Sequence, residues 1–234
     1  MSYYYVNTAF EADSLGTYHG GVVTSAADDL ATYLTNQIDN ATFGFADYGK
    51  TSVRCIDHDT EIGFVKAAMQ EMKDTGFLVA GDSVVIAHEC IDYGYGGGKY
   101  TITLSDGSTA TGAAVFAGTL VPGWEVQAFT WHELCHAYGP WHDDPDVDVD
   151  TNELMHSITP MGAGYVHDES GDSDTLYSAV DGDPSDPTCP DSFCYGESNF
   201  HYPGFKYSSN KDNHDLNRLS FCTLDLIQDW VNSR

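Results

Sequence analysis

Three histidines and one glutamate lie close together in the segment HELCHAYGPWH, residues 132–142. His132 and His136 are four positions apart, so on a helix both side chains emerge from the same face and both imidazoles can bind one cation. Glu133 points about 100° away around the helix axis, where its carboxylate can reach a water molecule bound to that cation. This spacing predicts a metal site with a general base beside it.

The residues that follow predict a third ligand. Gly139 allows the backbone to leave the helix through a left-handed turn, and Pro140 prevents the helix from continuing. The redirected chain would bring His142 back to the cation and leave a fourth position for water, which is the coordination of a catalytic zinc. Zinc lowers the pKa of such a water to about 7. HExxH alone also occurs on ordinary surface helices, but all five positions seldom coincide. The predicted zinc ligands are His132, His136 and His142, with Glu133 as general base.

This segment resembles the HExxHxxGxxH signature of the metzincin clan of zinc peptidases, and Asp143 resembles the adamalysin form of it. Cys135 departs from the pattern, since many relatives carry glycine there. The resemblance implies an α+β, metzincin-like fold: a mixed twisted sheet with two helices above the zinc helix, then an irregular lower subdomain with a C-terminal helix. It also implies one zinc-peptidase catalytic domain over residues 1–234, with an upper subdomain 1–139 and a lower subdomain 140–234.

The resemblance further implies a methionine in a tight turn beneath the metal and a tyrosine near that turn. Met155, in the sequence Leu-Met-His-Ser, is favoured for the methionine, and Met161 is the alternative. Tyr165 or Tyr177 could be the tyrosine that stabilises the transition state. Another class of zinc peptidases uses a later glutamate as third ligand. Glu153 is the nearby candidate, but its aspartate-rich surroundings lack helical periodicity, so the third histidine is the better ligand.

Acidic side chains far outnumber basic ones. The chain has 36 acidic and 9 basic residues and a formal net charge of −27. Nucleic acid and anionic membranes would be repelled, so neither is expected as a partner. One explanation of this charge is adaptation to high salt, which would make the protein halophilic. A second is bound Ca²⁺ in the aspartate-rich segments 143–150 and 181–186. The two can coexist, and an ordinary acidic secreted protein is the third explanation.

The cysteines and the chain start indicate a cellular location. Six cysteines without a C-x-x-C pair favour disulfides and an extracellular protein over a second zinc site. Cys189 and Cys194 could close a local loop, and the packing of helices in metzincins makes Cys135 and Cys222 plausible partners. Residues 1–6 do not read as a signal peptide, and no apolar run approaches the roughly 20 residues that span a bilayer. We expect a secreted monomer, with signal or propeptide not present in this chain.

Apolar spacing and turn residues predict the elements around the site. Ser25 should cap a first helix that runs to Ile38, Thr60 and Glu61 should open a second that stops at Gly76, and a closing helix should cover 219–230. Predicted strands cover 52–56, 83–88, 100–104 and 113–117, with the turn at 106–107 joining the last two as a hairpin. Glycines in 94–98 are interpreted as a flexible connection, and the remaining histidines as surface or locally hydrogen-bonded side chains.

Together these features predict a zinc-dependent endopeptidase. Glu133 would take a proton from the zinc-bound water and deliver it to the leaving amine, without a covalent intermediate. An extended peptide substrate would pair with the sheet edge at Tyr100–Leu104. One alternative is a zinc amidase acting on a small or peptidoglycan-like substrate. A non-catalytic binding domain stabilised by zinc is the other, although a structural site has no need for Glu133.

Overall fold

The computed structural model describes residues 1–12, 19–90, 96–118, 123–139, 164–167, 174–177 and 221–234. The chain divides into two compact units, Met1–Tyr138 and Gly139–Arg234. In the described ranges, no helix combines the length and the apolar character that crossing a membrane requires.

The first unit is built on a five-stranded sheet in the order β2-β1-β3-β5-β4. Its strands are β1 (Ser2–Phe10), β2 (Ala41–Lys50), β3 (Ser83–His88), β4 (Gly96–Thr103) and β5 (Thr109–Phe116). All neighbouring pairs are parallel except β4 with β5, which is antiparallel. The predicted mixed sheet with accompanying helices is therefore present, and β4 forms one of its two edges.

Helices cover both faces of this sheet. Helix α2 (Glu61–Asp74) packs on one face, where its apolar side chains join Val84 and Ile86 of β3 in a buried cluster. Helix α1 (Gly20–Gln37) packs against α3 (Gly123–Cys135), and Ser83 on the opposite face of β3 bonds to α3. The two helices predicted to lie above the helix of His132 are thus divided, with α1 beside α3 and α2 across the sheet.

The predicted second helix is confirmed, whereas the start of the first is wrong. The Thr60 hydroxyl caps α2 by accepting a bond from the Gly63 N–H at 3.1 Å, and Gly76 takes a φ of +72° just after the helix. Helix α1 begins at Gly20, not at Ser25, and its N-cap is His19. The buried apolar stripe already includes Val23, so burial against the sheet favours helix before the expected cap.

Three of the four predicted strands and the hairpin are present. The strand at 83–88 is β3, and each of its residues is buried. The predicted 113–117 strand falls almost wholly within β5, which begins earlier, at Thr109. The Leu104 N–H donates to the Ser108 carbonyl at 2.8 Å across the turn that contains Gly107, whose φ is +86°. The strand predicted at 100–104 is the second half of β4, which begins at Gly96. Residues 96–98, expected to be a flexible connection, are therefore part of a strand.

The strand predicted at 52–56 is wrong. A short 3₁₀ helix, Cys55–Asp57, occupies its end. N–H groups of this segment bond to side chains, and the Val53 carbonyl accepts from Ala12 N at 2.9 Å, just beyond the end of β1. The Glu71 carboxylate accepts from Ser52 N, and Glu11 accepts from Cys55 N at 3.0 Å. The sheet instead contains β1 and β2, which the sequence had not predicted.

Cysteine pairing differs from the expectation. Cys55 and Cys90 form a disulfide, while Cys135 is a buried free thiol. The suggested pairing of Cys135 with Cys222 is therefore wrong, because the Cys135 thiol is free and fully buried. Cys189 and Cys194 lie outside the described residues.

The second unit contains an antiparallel pair of short strands and a final helix. Strand β6 (Gly164–His167) pairs with β7 (Asp174–Tyr177), so that Tyr165 lies opposite Leu176 and Tyr177 opposite Gly164. Helix α4 (Phe221–Asn232) confirms the predicted closing helix with a shift of two residues. Met155, Met161, Glu153 and the acidic segments 143–150 and 181–186 lie outside the described residues.

Candidate metal centre

Helix α3 is fixed to the rest of the first unit on several sides. The indole N–H of Trp131 donates to the Ala26 carbonyl of α1 at 2.8 Å, and the Ser83 hydroxyl donates to the Leu134 carbonyl at 2.8 Å. After α3 the chain continues as a 3₁₀ turn, His136–Tyr138. The Tyr138 hydroxyl donates to the Tyr5 carbonyl at 3.3 Å. These bonds give the polar side chains of the helix a rigid base.

The two predicted ligands described by the structure converge. His132 is 2% exposed and His136 is 4% exposed, and their Nε2 atoms are 3.1 Å apart. The rings are nearly perpendicular, with an interplanar angle of 89°. At this separation one imidazole N–H can donate a hydrogen bond to the other ring. Alternatively, the Nε2 lone pairs of both rings can be directed at one cation. The two rings therefore lie side by side, as the i, i+4 spacing predicts, and their role as metal ligands stays a prediction.

The donor atoms of this pair fit zinc. Two nitrogens bound to one tetrahedral zinc at about 2.0–2.1 Å are about 3.3 Å apart. The observed 3.1 Å separation is close to that value, and neutral imidazole is a preferred zinc donor. His142, the predicted third ligand, lies outside the described residues. Gly139, which should redirect the chain towards it, has a φ of +111°, so the predicted positive-φ turn after the helix is confirmed.

Glu133 is held in a buried and charged environment. Its side chain is 7% exposed, and burial raises its pKa to about 8; the nearby charge of Glu61 also raises it, and Lys99 acts in the opposite direction. Burial lowers the pKa of Lys99, while the charge of Glu133 raises it. A carboxylate with a pKa near neutrality is well matched to proton transfer at neutral pH.

A second pair of titratable side chains lies on the other face of the sheet, at the end of the central strand β3. His88, at the end of β3, is fully buried between Phe64 and Phe116. Its Nδ1 accepts a bond from Cys90 N at 3.2 Å, so a neutral ring carries its proton on Nε2, 3.6 Å from Glu61 Oε1. From the sequence, His88 was interpreted as a surface or locally hydrogen-bonded histidine. Its spacing from Glu61 along the chain gives no sign that the two side chains are neighbours.

A different group of potential ligands occurs around the disulfide. Within the described part of the chain, one atom each from Glu11, Cys55 and Cys90 lies within 4.8 Å of the others. The disulfide occupies both sulfurs, and the two Glu11 oxygens accept bonds from Cys55 N and Glu89 N at 3.0 and 2.8 Å. In this state the group therefore stabilises the chain around the disulfide and leaves no thiolate for a metal.

Comparison with known proteins adds no relative: neither a protein-family model nor a curated protein matches this sequence. The function is therefore inferred from the residues of the site.

Proposed function

We propose that this protein is a zinc-dependent endopeptidase of the metzincin type, with zinc ligands His132, His136 and His142. The observation that carries the proposal is the buried pair of imidazoles whose Nε2 atoms lie 3.1 Å apart, with the buried carboxylate of Glu133 on the same helix. Two neutral imidazoles on a rigid base can direct both lone pairs at one divalent cation, and zinc is a preferred one.

Glu133 is the general base and acid of the proposed reaction. When bound, zinc would polarise the scissile carbonyl and make a water molecule acidic enough to attack it at neutral pH. A carboxylate oxygen of Glu133 accepts the proton of the attacking water and later transfers it to the nitrogen of the leaving amine. Because water is the nucleophile, no side chain of the protein forms a covalent bond to the substrate.

The proposed substrate is an extended peptide that pairs with β4. This strand is at the edge of the sheet, so one row of its backbone donors and acceptors faces away from β5. β4 also contacts α3, the helix that carries His132 and Glu133. A peptide added to this edge would run beside the proposed catalytic residues, and backbone bonding would accept many sequences.

The remaining parts of the proposal concern conditions and location. The Cys55–Cys90 disulfide favours an extracellular protein, since disulfides persist in oxidising compartments. The net charge of −27 is suited to high salt and leaves Ca²⁺ as a further candidate cofactor. We propose a monomer that acts on peptides or proteins and has neither nucleic acid nor membrane as a partner.

The deciding experiment combines metal analysis with proteolysis of casein at low and high salt. We expect about one zinc per chain, cleavage that chelators abolish, and a loss on the order of a hundredfold or more in Glu133→Gln with zinc retained. Cleavage of small amides but not of casein would favour the zinc amidase. A zinc-replete protein that is inert on broad peptide libraries would favour the binding domain, and proteolysis retained in Glu133→Gln would contradict the role of this residue.

A further inference from the structure

The edge strand β4 contains a bulge beside the candidate metal centre. Gly97 lies opposite Ala114 and Tyr100 opposite Gly112, so three steps along β4 correspond to two steps along β5. One extra residue therefore separates these pairs, and Gly97 and Gly98 take φ values of +144° and +63°. Such a bulge shifts the alternation of side chains by one residue and re-aims those that follow.

The bulge directs two positions of β4 to the same helix. A Cβ at position 96 would lie 2.7 Å from Glu133 Oε1, so Gly96 faces α3. Lys99 also faces that side, because its Nζ donates to the His136 carbonyl at 2.9 Å. In a regular strand, residues 96 and 99 would point to opposite faces of the sheet. The extra residue therefore turns both Gly96 and Lys99 towards α3. There Gly96 leaves room for the Glu133 carboxylate, and the charges of Lys99 and Glu133 attract each other.

The glycines of the bulge also allow β4 to lie between two carboxylates. A Cβ at position 98 would lie 2.8 Å from Glu61 Cγ, and one at position 97 would lie 3.0 Å from Glu61 Oε2. Glu61 on α2 and Glu133 on α3 thus approach β4 from opposite faces, and their like charges repel. Lys99 supplies the opposite charge on the Glu133 side, and β4 can pass between the two acids because it lacks side chains there.

We propose that Lys99 is a positioning residue: it binds the His136 carbonyl, holds the Glu133 carboxylate over Gly96, and so ties the strand that would bind the peptide to the helix that carries the base. This inference rests on the proposed function for its catalytic consequence. The charge interaction between Lys99 and Glu133 that it requires is independent of zinc and can be tested in the metal-free protein.

The catalytic test compares Lys99→Met with the matched control Lys73→Met. Lys73 also donates its ammonium to a carbonyl of β4, that of Thr103 at 2.7 Å, but from α2 and an exposed position. We expect Lys99→Met to lower kcat by about tenfold or more, with KM within about twofold and with zinc content unchanged. Lys99→Arg should recover part of kcat, and Lys73→Met should retain it. Wild-type kcat in Lys99→Met, or a change in KM alone, would overturn the proposal.

Gly96→Ala provides a second variant that keeps the lysine. Its methyl group would displace the Glu133 carboxylate, so kcat should fall while zinc remains bound. Gly21→Ala is the control, since a Cβ at that position meets nothing within 4 Å. Wild-type kcat in Gly96→Ala would contradict the proposed placement of Glu133. If Lys99→Met does not fold, Gly96→Ala still tests whether the Glu133 carboxylate lies over position 96.

The metal-free test is a thermal double-mutant cycle of Lys99→Met and Glu133→Gln. If the two side chains interact, the decrease in Tm of the double variant is smaller than the sum of the two single decreases. Additive decreases would overturn the proposal even in an active enzyme. A wild-type protein that lacks peptidase activity would contradict the proposed function instead, and the thermal cycle would still decide whether Lys99 holds Glu133.

Discussion

The buried carboxylate of Asp82 should make the stability of the first unit fall as pH rises. Asp82 precedes β3 and is 2% exposed; it accepts bonds from Val79 N at 2.9 Å and Tyr5 N at 3.3 Å. Burial raises its pKa from 3.8 to about 7, against the opposing effect of these bonds. Between these two pH values the folded chain binds more protons at Asp82 than the unfolded chain, so the free energy of unfolding decreases with rising pH.

The size of this effect follows from the pKa shift. A shift of about three units at about 1.4 kcal/mol each makes the contribution of Asp82 about 4 kcal/mol smaller above pH 7 than below pH 4. In Asp82→Asn this dependence disappears. Denaturant unfolding of both proteins at several pH values from 4 to 8 gives the difference in free energy of unfolding, in which titration of the other acidic groups largely cancels.

The difference between Asp82→Asn and wild type should therefore shift in favour of the variant as pH rises through this range. Asparagine loses one of the acceptor oxygens, so the variant can be less stable at pH 4 without affecting the reasoning. Asp106 is the control, because bonds from Ser108 lower its pKa from 3.8, so the difference between Asp106→Asn and wild type should stay nearly constant from pH 4 to 8. A pH-independent difference for Asp82→Asn would refute the reasoning.

Three further predictions concern cysteines and capping. Replacing both Cys55 and Cys90 by serine should lower the free energy of unfolding by about 4 kcal/mol, the loop-closure value for their separation of 35 residues; an unchanged denaturation midpoint would argue against the bond. Cys135 is buried, and burial raises the pKa of its thiol, so iodoacetamide should label it only in denaturant. Peptide mass spectrometry measures the labelling, and rapid labelling of the native protein would contradict this burial. Thr60→Ala should cost about 1 kcal/mol in denaturant unfolding through loss of the α2 cap, and no measurable cost would mean that the bond to Gly63 contributes little.

Elements whose signal is local were predictable from the sequence. The strand β3 is a run of buried residues, and α2 has both a capping threonine and a glycine after its end. The approach of His132, on α3, to His136, in the 3₁₀ turn that follows it, was also predictable, because residues four positions apart lie on the same face of a helix. In these cases neighbouring residues are sufficient to specify the conformation.

Elements that depend on distant partners were not predictable. Strand β2 contains two glycines and an aspartate, and its place in the sheet comes from parallel pairing with β1. Residues 52–56 alternate like a strand, but Glu71 and Glu11 bind their backbone N–H groups. The disulfide likewise joins residues 35 positions apart. None of these partners is identifiable from spacing.

Parts of the candidate site were missed for the same reason. Glu61 and His88 belong to a helix and a strand that only the fold brings together. Lys99 reaches His136 because a bulge changes the face of β4 to which it points. The run of glycines at 96–98 was a visible signal, since a close approach by other groups is one reason for glycine in a strand. It was interpreted as flexibility because no partner was evident.

The most direct test of the proposed zinc centre is crystallography of the zinc-loaded protein, with anomalous diffraction measured above and below the zinc absorption edge. We predict one anomalous peak bound by the Nε2 atoms of His132 and His136 and by His142, with Glu133 close to it but not a ligand. The account would be contradicted if the two imidazoles stayed hydrogen-bonded to each other and zinc bound elsewhere or not at all.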